Sequence, residues 1–586
     1  LFLLMPDLTT PTSPAPGCPR RLADFPTLAD ALDYAARGGA GINFYSGRGI
    51  LLEALPYREL QQQALNYARR LLALGLRPGD RIAIVAESDG DFVRVFFACQ
   101  YAGLVPAPLP LPLAFAGRET YVASLRRMIV SAGVVAAFAP EVLVPWLREA
   151  TDGLGLRLVD TLAGLRQVEP GTAALPTPDP EGLCYLQFSS GSTRFPLGVA
   201  GTQRTVMANV AAIARHGLVI RDGDRGVSWL PFYHDMGLVG FLLTPLACQV
   251  SVDLLPTREF ARRPLVWLDL ISRNRGTLAY SPSFGYELCT RRAESASAEL
   301  DLSCWRGAGI GGDMIRPQVL EKFSACLASR GFRPEAFVAS YGMAEATLAL
   351  TFAPIGRGIR TDTVVRWALE HQGVALPCAT NDDAEGRTFV CCGPILPGHQ
   401  LEVRDEGGRV LPERRVGTLF VRGPSIMPGY PGHLEETSRV LSAGGWFNTG
   451  DLGYVVDGEI VITGRAKDLI IVNGRNIWPQ DLEWTAETGL PALRSRDVVV
   501  FSVDGETTER VIALVQCRAT RPEEREALRV AATGLFRRQH GVDVSVVLVP
   551  PHSLPQTSSG KLSRTWAKQM LLSGAFDAEP RISSVA

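Results

Sequence analysis

Apolar residues return at helical intervals over 60–76, at Leu60, Leu65, Ala68, Leu71 and Leu72, and Arg77-Pro78-Gly79-Asp80 then turns the chain into an apolar run over 82–85. Further helices are predicted over 92–102 and 121–131, followed by a strand over 134–138. Strands and helices alternating at this pace predict a mostly parallel sheet with covered faces, so the first half is read as α/β. A strand-like run over 185–188 and a helix over 202–214, carrying Met207, Val210, Ala211 and Ile213, extend the pattern. Beyond residue 389 the rhythm shortens to strands over 401–404, 418–422 and 459–463, a small β-rich unit. A domain boundary is expected at 465–467. There Gly464-Arg465-Ala466-Lys467-Asp468 breaks the strand pattern, and after it strands over 511–515 and 544–549 surround a helix over 522–538 as a compact α+β unit. The expected division is a lead-in at 1–22, mobile because 9–20 is rich in Pro, Thr and Ser, a large domain at 23–464, a hinge at 465–467 and a small domain at 468–586.

Composition narrows the function. At 586 residues the chain exceeds one growing core, and 46% hydrophobic with 20% charged residues is the balance of a globular protein. Basic and acidic residues nearly cancel, 59 against 60, which leaves no overall electrostatic footprint for nucleic acid or an anionic membrane and favours a small-molecule substrate. Eleven cysteines without a C-x-x-C pair suggest reduced, cytoplasmic thiols. The longest apolar passage, 238–250, is interrupted by Gly240, Thr244, Pro245 and Gln249, so no membrane span is expected, and no secretion signal is evident.

Candidate chemistry begins where the run over 185–188 empties into Ser189-Ser190-Gly191-Ser192-Thr193-Arg194. Hydroxyl donors, a permissive glycine and a fixed cation make a phosphate cradle, but the same residues build ordinary strand-to-helix turns. Trp229-Leu230-Pro231-Phe232-Tyr233-His234-Asp235-Met236-Gly237 fits a binding wall, or a buried loop whose His234 satisfies one hydrogen bond. Gly309-Ile310-Gly311-Gly312-Asp313 precedes Ala339-Ser340-Tyr341-Gly342-Met343-Ala344-Glu345. There an aromatic face can stack on a base, and Glu345 is either a magnesium ligand or an exposed helix-start glutamate. Asp451 sits in the turn-like Thr449-Gly450-Asp451-Leu452-Gly453, where it can accept hydrogen bonds from ribose hydroxyls. Near the end, Thr557-Ser558-Ser559-Gly560-Lys561 presents a lysine from a loop.

Taken together and in this order, these six stretches resemble the adenylate-forming superfamily over nearly the whole chain, and within it most closely the fatty acyl-AMP ligases. That resemblance rests on Phe232-Tyr233-His234-Asp235-Met236-Gly237-Leu238, on Phe332-Arg333-Pro334-Glu335-Ala336-Phe337, and on the segment at about 354–388, which is similar to the insertion of those ligases. It implies a large α/β adenylate-forming domain, built of two α/β subdomains and a small β subdomain, with a small mobile C-terminal α+β domain. It also implies ATP and Mg2+ as cofactors. By the same resemblance Ser189, Ser190, Gly191, Ser192 and Thr193 form the triphosphate loop. Gly311, Gly312 and Asp313 together with Ser340, Tyr341, Gly342 and Met343 line the adenine pocket. Asp451 and Arg465 hold the nucleotide, Glu345 binds magnesium, His234 edges the acyl pocket, Lys467 marks the hinge and Lys561 is the catalytic lysine.

Two positions depart from the superfamily pattern: Arg194 stands where glycine is usual and Leu197 where lysine is usual, which reads as a charge displaced within the loop. The implied reaction forms a fatty acyl adenylate from ATP and passes the acyl group to the phosphopantetheine thiol of an acyl carrier protein, or of a carrier domain in polyketide or nonribosomal peptide synthesis. An acyl-CoA synthetase shares the first half of that reaction, and a nucleotide- or acyl-binding module without catalysis is the distant alternative. In the insertion, Val364, Val365, Trp367, Ala368 and Leu369 are expected to form an apolar face against the small domain, with Trp367 its anchor.

Overall fold

The computed structural model describes residues 18–112, 117–188, 197–379, 385–504, 509–557 and 560–576. The predicted first helix is Tyr57–Ala73, and the strand after it, Arg81–Val85, lies between Val105–Leu109 and Ala136–Ala139 in a four-stranded parallel sheet closed by Leu158–Thr161. Helix Gly90–Ala102 begins at Asp89, which accepts from the Phe92 N–H, and ends at Gly103 in the left-handed region, φ 65°. A hairpin of Leu183–Phe188 and Gly198–Thr202 follows, and the Ser189 to Thr193 loop and Arg194 that it carries lie outside the described residues.

The largest sheet has eight strands, in the order Ala349–Phe352, Phe337–Gly342, Gly307–Ile310, Leu278–Ser281, Arg225–Ser228, Ser251–Leu254, Gly41–Tyr45 and Leu51–Pro56. Its six inner strands run parallel and its two edges antiparallel. In such a sheet binding loops gather at the carboxyl ends of the strands. Here those ends release Tyr233 and His234, Ser283, Gly311 to Asp313, and Tyr341 to Glu345 onto one side of the molecule.

Strands Gln400–Arg404, Gly417–Arg422, Phe447–Val456 and Glu459–Arg465 make the predicted β-rich unit as an antiparallel sheet. Asp451, expected in a turn, lies within the long strand Phe447–Val456, opposite Arg465 across the hairpin. The Thr449-Gly450 kink, with Gly450 at φ 70°, hid that strand from a pattern reading.

After the short turn Ala466–Asp468, the small domain packs helices Pro479–Gly489, Pro522–His540 and Arg564–Leu572 on the sheet Val498–Val503, Arg510–Gln516 and Val544–Val549. The helix Pro522–His540 carries proline at its first position, Glu523 and Glu524 in its first turn, Arg537, Arg538 and His540 in its last, and Gly541 beyond it at φ 62°. Each feature complements the helix dipole or supplies the needed end geometry. Strand Val498–Val503 was not among the expected strands.

The insertion forms the hairpin Thr361–Val365 with Gly386–Val390 and the helix Arg366–Gln372 between them. Val364, Leu369 and Phe389 enter one apolar cluster with Trp478 of the small domain, while Ala368 is also buried. Trp367 corrects the expectation. It is 58% exposed and stacks on His371 with centroids 5.0 Å apart, because one residue along a helix turns the side chain about 100° away from its buried neighbours. Trp478 is the aromatic anchor instead. Two ion pairs flank it: Arg475 Nε to Glu370 Oε2 at 2.7 Å, and Arg387 Nη2 to Asp481 Oδ1 at 2.9 Å. The Arg387 guanidinium lies 4.4 Å from the ring centres of both Phe389 and Trp478.

Of the lead-in, residues 1–17 lie outside the described residues. By Arg20 the chain is tied to the body: Arg20 Nε meets Asp222 Oδ1 at 2.8 Å and the Arg21 N–H donates to Gln249 Oε1 at 2.8 Å. All eleven cysteines are free, and among the described residues no helix is long and apolar enough to cross a membrane.

His540 gives the joint between insertion and small domain an acid sensitivity. Burial, then Arg366, Arg475 and Arg387, push its pKa from 6.5 down to about 4, and Nε2 meets Thr485 Oγ1 at 2.8 Å. The unfolded chain binds this proton more readily than the folded one, so the stabilising contribution is complete above pH 6.5 and is lost as pH falls through about 4. We expect the thermal midpoint to drop over that window, and to drop less in His540→Gln. Identical acid profiles for the two proteins would count against this assignment.

Candidate functional site

One cavity of about 2040 Å³ runs from the carboxyl ends of the large sheet to the small domain. Its wall brings together His234, Gly312, Asp313, Ser340, Tyr341, Gly342, Met343, Glu345, Asp451, Arg465, Lys467 and Lys561. Gly311 lies behind the wall. A Cβ there would stand 2.7 Å from the Ser340 carbonyl oxygen, so its glycine permits two loops to touch. Gly312, at φ 79°, completes that turn.

Tyr341 and Asp451 form one polar unit. The Tyr341 hydroxyl donates to Asp451 Oδ2 at 2.7 Å, and the Asp451 N–H is held by Thr449 Oγ1 at 3.1 Å. Burial pushes the Tyr341 phenol well up, so it stays protonated and donates. Arg465 Nε approaches Asp451 Oδ1 at 3.5 Å. Burial raises the pKa of Asp451, opposed by Arg465, Tyr341 and Lys561. Asp313 is raised by burial as well, with Lys561 opposing; its Oδ1 accepts from the Ser283 hydroxyl at 3.1 Å.

Glu345 sits in the turn Ala344–Ala346, half-buried rather than exposed at a helix start, and its Oε1 accepts from the Tyr430 hydroxyl at 3.1 Å. Burial raises its pKa, and Asp235 raises it further. Next to the apolar recess, His234 Nδ1 lies 2.6 Å from Asp235 Oδ1. Burial pushes Asp235 up, but His234 and Lys561 together hold it below the ordinary carboxylate range. The apolar residues of the cavity wall include Ile213, Leu218, Met236, Phe241, Tyr280 and Phe352.

Several residues were not singled out in the sequence. Asp235 was read only as part of its stretch, yet it shares the cavity with Lys561. Gln187, at the end of the strand before residues 189–196, donates through Nε2 to the Tyr233 carbonyl at 2.6 Å, while its buried Oε1 has no hydrogen-bond partner among the described residues. A polar residue at the mouth of a buried apolar strand was the available signal. Leu197 joins Val199, Ala346, Leu350 and Tyr430 in an apolar cluster, so the position where the family pattern has lysine is here a packing position.

This fold with this cavity defines an adenylate-forming enzyme. The chain belongs to the AMP-binding enzyme family, whose model matches residues 51–431. It is 55% identical over 557 residues to a Caulobacter vibrioides protein named "Putative acyl-CoA synthetase", covering 95% of this chain and 97% of that one. It is 31% identical over 575 residues to JamA of Moorena producens, named a medium-chain-fatty-acid acyl-carrier-protein ligase, covering 94% and 96%. A solved structure from a study of fatty acyl-adenylate ligases of E. coli and L. pneumophila superposes with a TM-score of 0.91 at 46% identity, covering 96% of this chain and all of that one. The expected likeness to the fatty acyl-AMP ligases is therefore borne out.

The chain has only four lysines, Lys322, Lys467, Lys561 and Lys568, and two of them line this cavity. Burial lowers the pKa of Lys561, helped by Arg465 and opposed by Asp313, Asp235 and Asp451; burial likewise lowers that of Lys467. After reductive methylation with a carbon-13 label, the NMR signals of these two lysines, assigned by Lys→Arg substitution, should titrate below the ordinary 10.5. Titration at or above that value would mean that neither amine is desolvated.

Proposed function

We propose that the protein activates a fatty acid with ATP to a fatty acyl adenylate and passes the acyl group to the phosphopantetheine thiol of an acyl carrier protein. The observation that carries this reading is that half-buried Lys561, from the small domain, lines one cavity with Asp235, Asp313 and Asp451 of the large one. A desolvated cation is held where two anions must be brought together.

In the proposed reaction a carboxylate oxygen of the fatty acid bonds to the α-phosphorus of ATP. The bond from that phosphorus to the bridging oxygen breaks, and its electron pair leaves with pyrophosphate. The protein transfers no proton in this step; alignment and charge stabilisation are its work. Lys561 offsets the charge that grows on the phosphoryl oxygens. Asp451, held by Tyr341, accepts from the ribose hydroxyls with Arg465 beside it, while Gly312, Asp313, Ser340, Gly342 and Met343 form the nucleotide wall. Ser189 to Thr193 would take the triphosphate. The apolar recess suits a hydrocarbon chain, with His234 at its edge, and Lys467 sits at the hinge.

Magnesium bound through nucleotide phosphates needs only one or two protein carboxylates. Glu345 fits that requirement: one oxygen is held by Tyr430, and Asp235 is near enough to feel its charge. Bound there, the ion would neutralise phosphate charge. Eleven free thiols suit a reducing compartment, in keeping with a cytoplasmic enzyme.

For the acceptor, the reading is supported by the insertion's apolar and ionic contacts with the small domain, which resist the rotation that would admit free CoA, and by the name given to JamA. The name given to the Caulobacter relative favours the second reading, an acyl-CoA synthetase.

Two experiments test these steps. Lys561→Ala should lower ATP–pyrophosphate exchange by about 10²–10³, the usual cost of one transition-state donor; near-normal exchange would remove Lys561 from the mechanism. Mass spectrometry after incubation with ATP and a fatty acid panel should show acyl adenylate and acylated carrier protein, with little acyl-CoA. Loosening the joint with Leu369→Ala and Glu370→Gln should raise the acyl-CoA yield. Efficient acyl-CoA formation by the unaltered protein would establish the CoA reading instead.

A further inference from the structure

The turn that carries Lys561 is short. The Thr557 N–H donates to the Lys561 carbonyl at 2.7 Å, the Gly560 N–H to the Thr557 carbonyl at 2.8 Å, and Gly560 is at φ 77°. Those bonds shape the turn but do not aim it. Arg496 reaches it from outside: its Nη1 donates to the Gly560 carbonyl, one residue before Lys561, at 2.7 Å.

Arg496 lies in the loop between helix Pro479–Gly489 and strand Val498–Val503. Its guanidinium sits 3.8 Å from the ring centre of Phe284 in the large domain. Phe284 follows Ser283, the residue that holds Asp313. Arg496 also sits at φ 66°, a left-handed conformation that costs a non-glycine residue on the order of 1 kcal/mol or more and persists only where its surroundings enforce it. They do so here. Its backbone N–H donates to Glu487 Oε1 at 2.5 Å, and the other oxygen of Glu487 meets Arg316 of the large domain at 3.2 Å. The strained backbone thus presents the side chain across the domain boundary, with one face on the wall beside Asp313 and one donor on the lysine turn.

We propose that Arg496 is a positioning residue for Lys561: stacked on Phe284, it fixes the Gly560 carbonyl and sets the lysine's approach to the nucleotide whenever the domains are closed. This rests on the adenylation reading above. Opening of the domains would break the Phe284 stack and release the turn, so the lysine is placed only in the closed arrangement.

The test is a double-substitution cycle in the full-length protein. ATP–pyrophosphate exchange with fatty acid is measured for Arg496→Met, Arg496→Lys and Lys561→Ala, and for Arg496→Met combined with Lys561→Ala, alongside thermal unfolding. Losing a hydrogen bond from a charged donor predicts a fall in kcat of roughly 10- to 100-fold for Arg496→Met, with KM for ATP nearly unchanged. Arg496→Lys should recover part of the loss. In the Lys561→Ala background, Arg496→Met should cost less than about twofold, because there is no lysine left to aim. Equal losses in both backgrounds, or undiminished exchange in Arg496→Met, would overturn the proposal. If Arg496→Met fails to fold, Arg496→Gln is read in the same cycle against the same outcomes. Exchange by the unaltered protein separates the two readings: its absence would sink the adenylation reading and this proposal with it, whereas its presence with a normal Arg496→Met would sink this proposal alone.

Discussion

Asp235, Asp313, Glu345 and Asp451 are drawn into one buried cavity, and the two-part construction of the molecule answers to their charge. Desolvation raises the pKa of Asp313, Glu345 and Asp451, because a carboxylate is less stable away from water. Among the cations that oppose this are Arg316 for Asp313, Arg465 at the end of the β-rich unit for Glu345 and Asp451, and Lys561 from the far side of the domain boundary for Asp313 and Asp451. With Lys561 supplied from a separate domain, the packing of the two parts in this closed arrangement and the charge balance of the cavity depend on each other.

The joints that hold this closure are of two kinds. Around Trp478 the contact is apolar and short-ranged, and removing surface from water stabilises it without selecting an angle. Around it stand arginine–carboxylate pairs, Arg316 with Glu487, Arg387 with Asp481 and Arg475 with Glu370. Desolvating such a pair offsets much of its attraction, so it adds little net stability, but it tolerates only a narrow range of geometry. The apolar patch therefore holds the domains together, and the ion pairs select the orientation in which Lys561 enters the cavity.

The α/β first half was legible because its helices and strands obey simple periods and are punctuated by Gly and Pro, as at Arg77 to Asp80. The site was legible because strand ends in a parallel sheet release short runs rich in Gly, Ser and Tyr, and these occur in a recognisable order. What escaped depends on three-dimensional partners. Trp367 and Leu369 are equally apolar in sequence, and only the helix's rotation against Trp478 decides which is buried. Asp451 looked like a turn residue because Gly450 and Gly453 interrupt a ten-residue strand. Arg496 is one arginine among many, and its backbone conformation and its reach to Gly560 leave no local signature.

The departure at Leu197 bears on the packing beneath Glu345. A lysine there would have to carry its charge out of a cluster that holds Leu350, Val421 and Phe447, at a cost in desolvation. Leucine instead packs with Ala346, next to Glu345, and with Tyr430, whose hydroxyl holds the Glu345 carboxylate. The position has therefore exchanged a charge at the loop's edge for an apolar footing beneath Glu345. The cations that line the described part of the cavity stand on both sides of this footing, Arg127, Arg316 and Arg387 in the large domain and Lys467, Lys561 and Arg564 beyond it, so the charge facing an anionic ligand is shared between the two parts of the molecule.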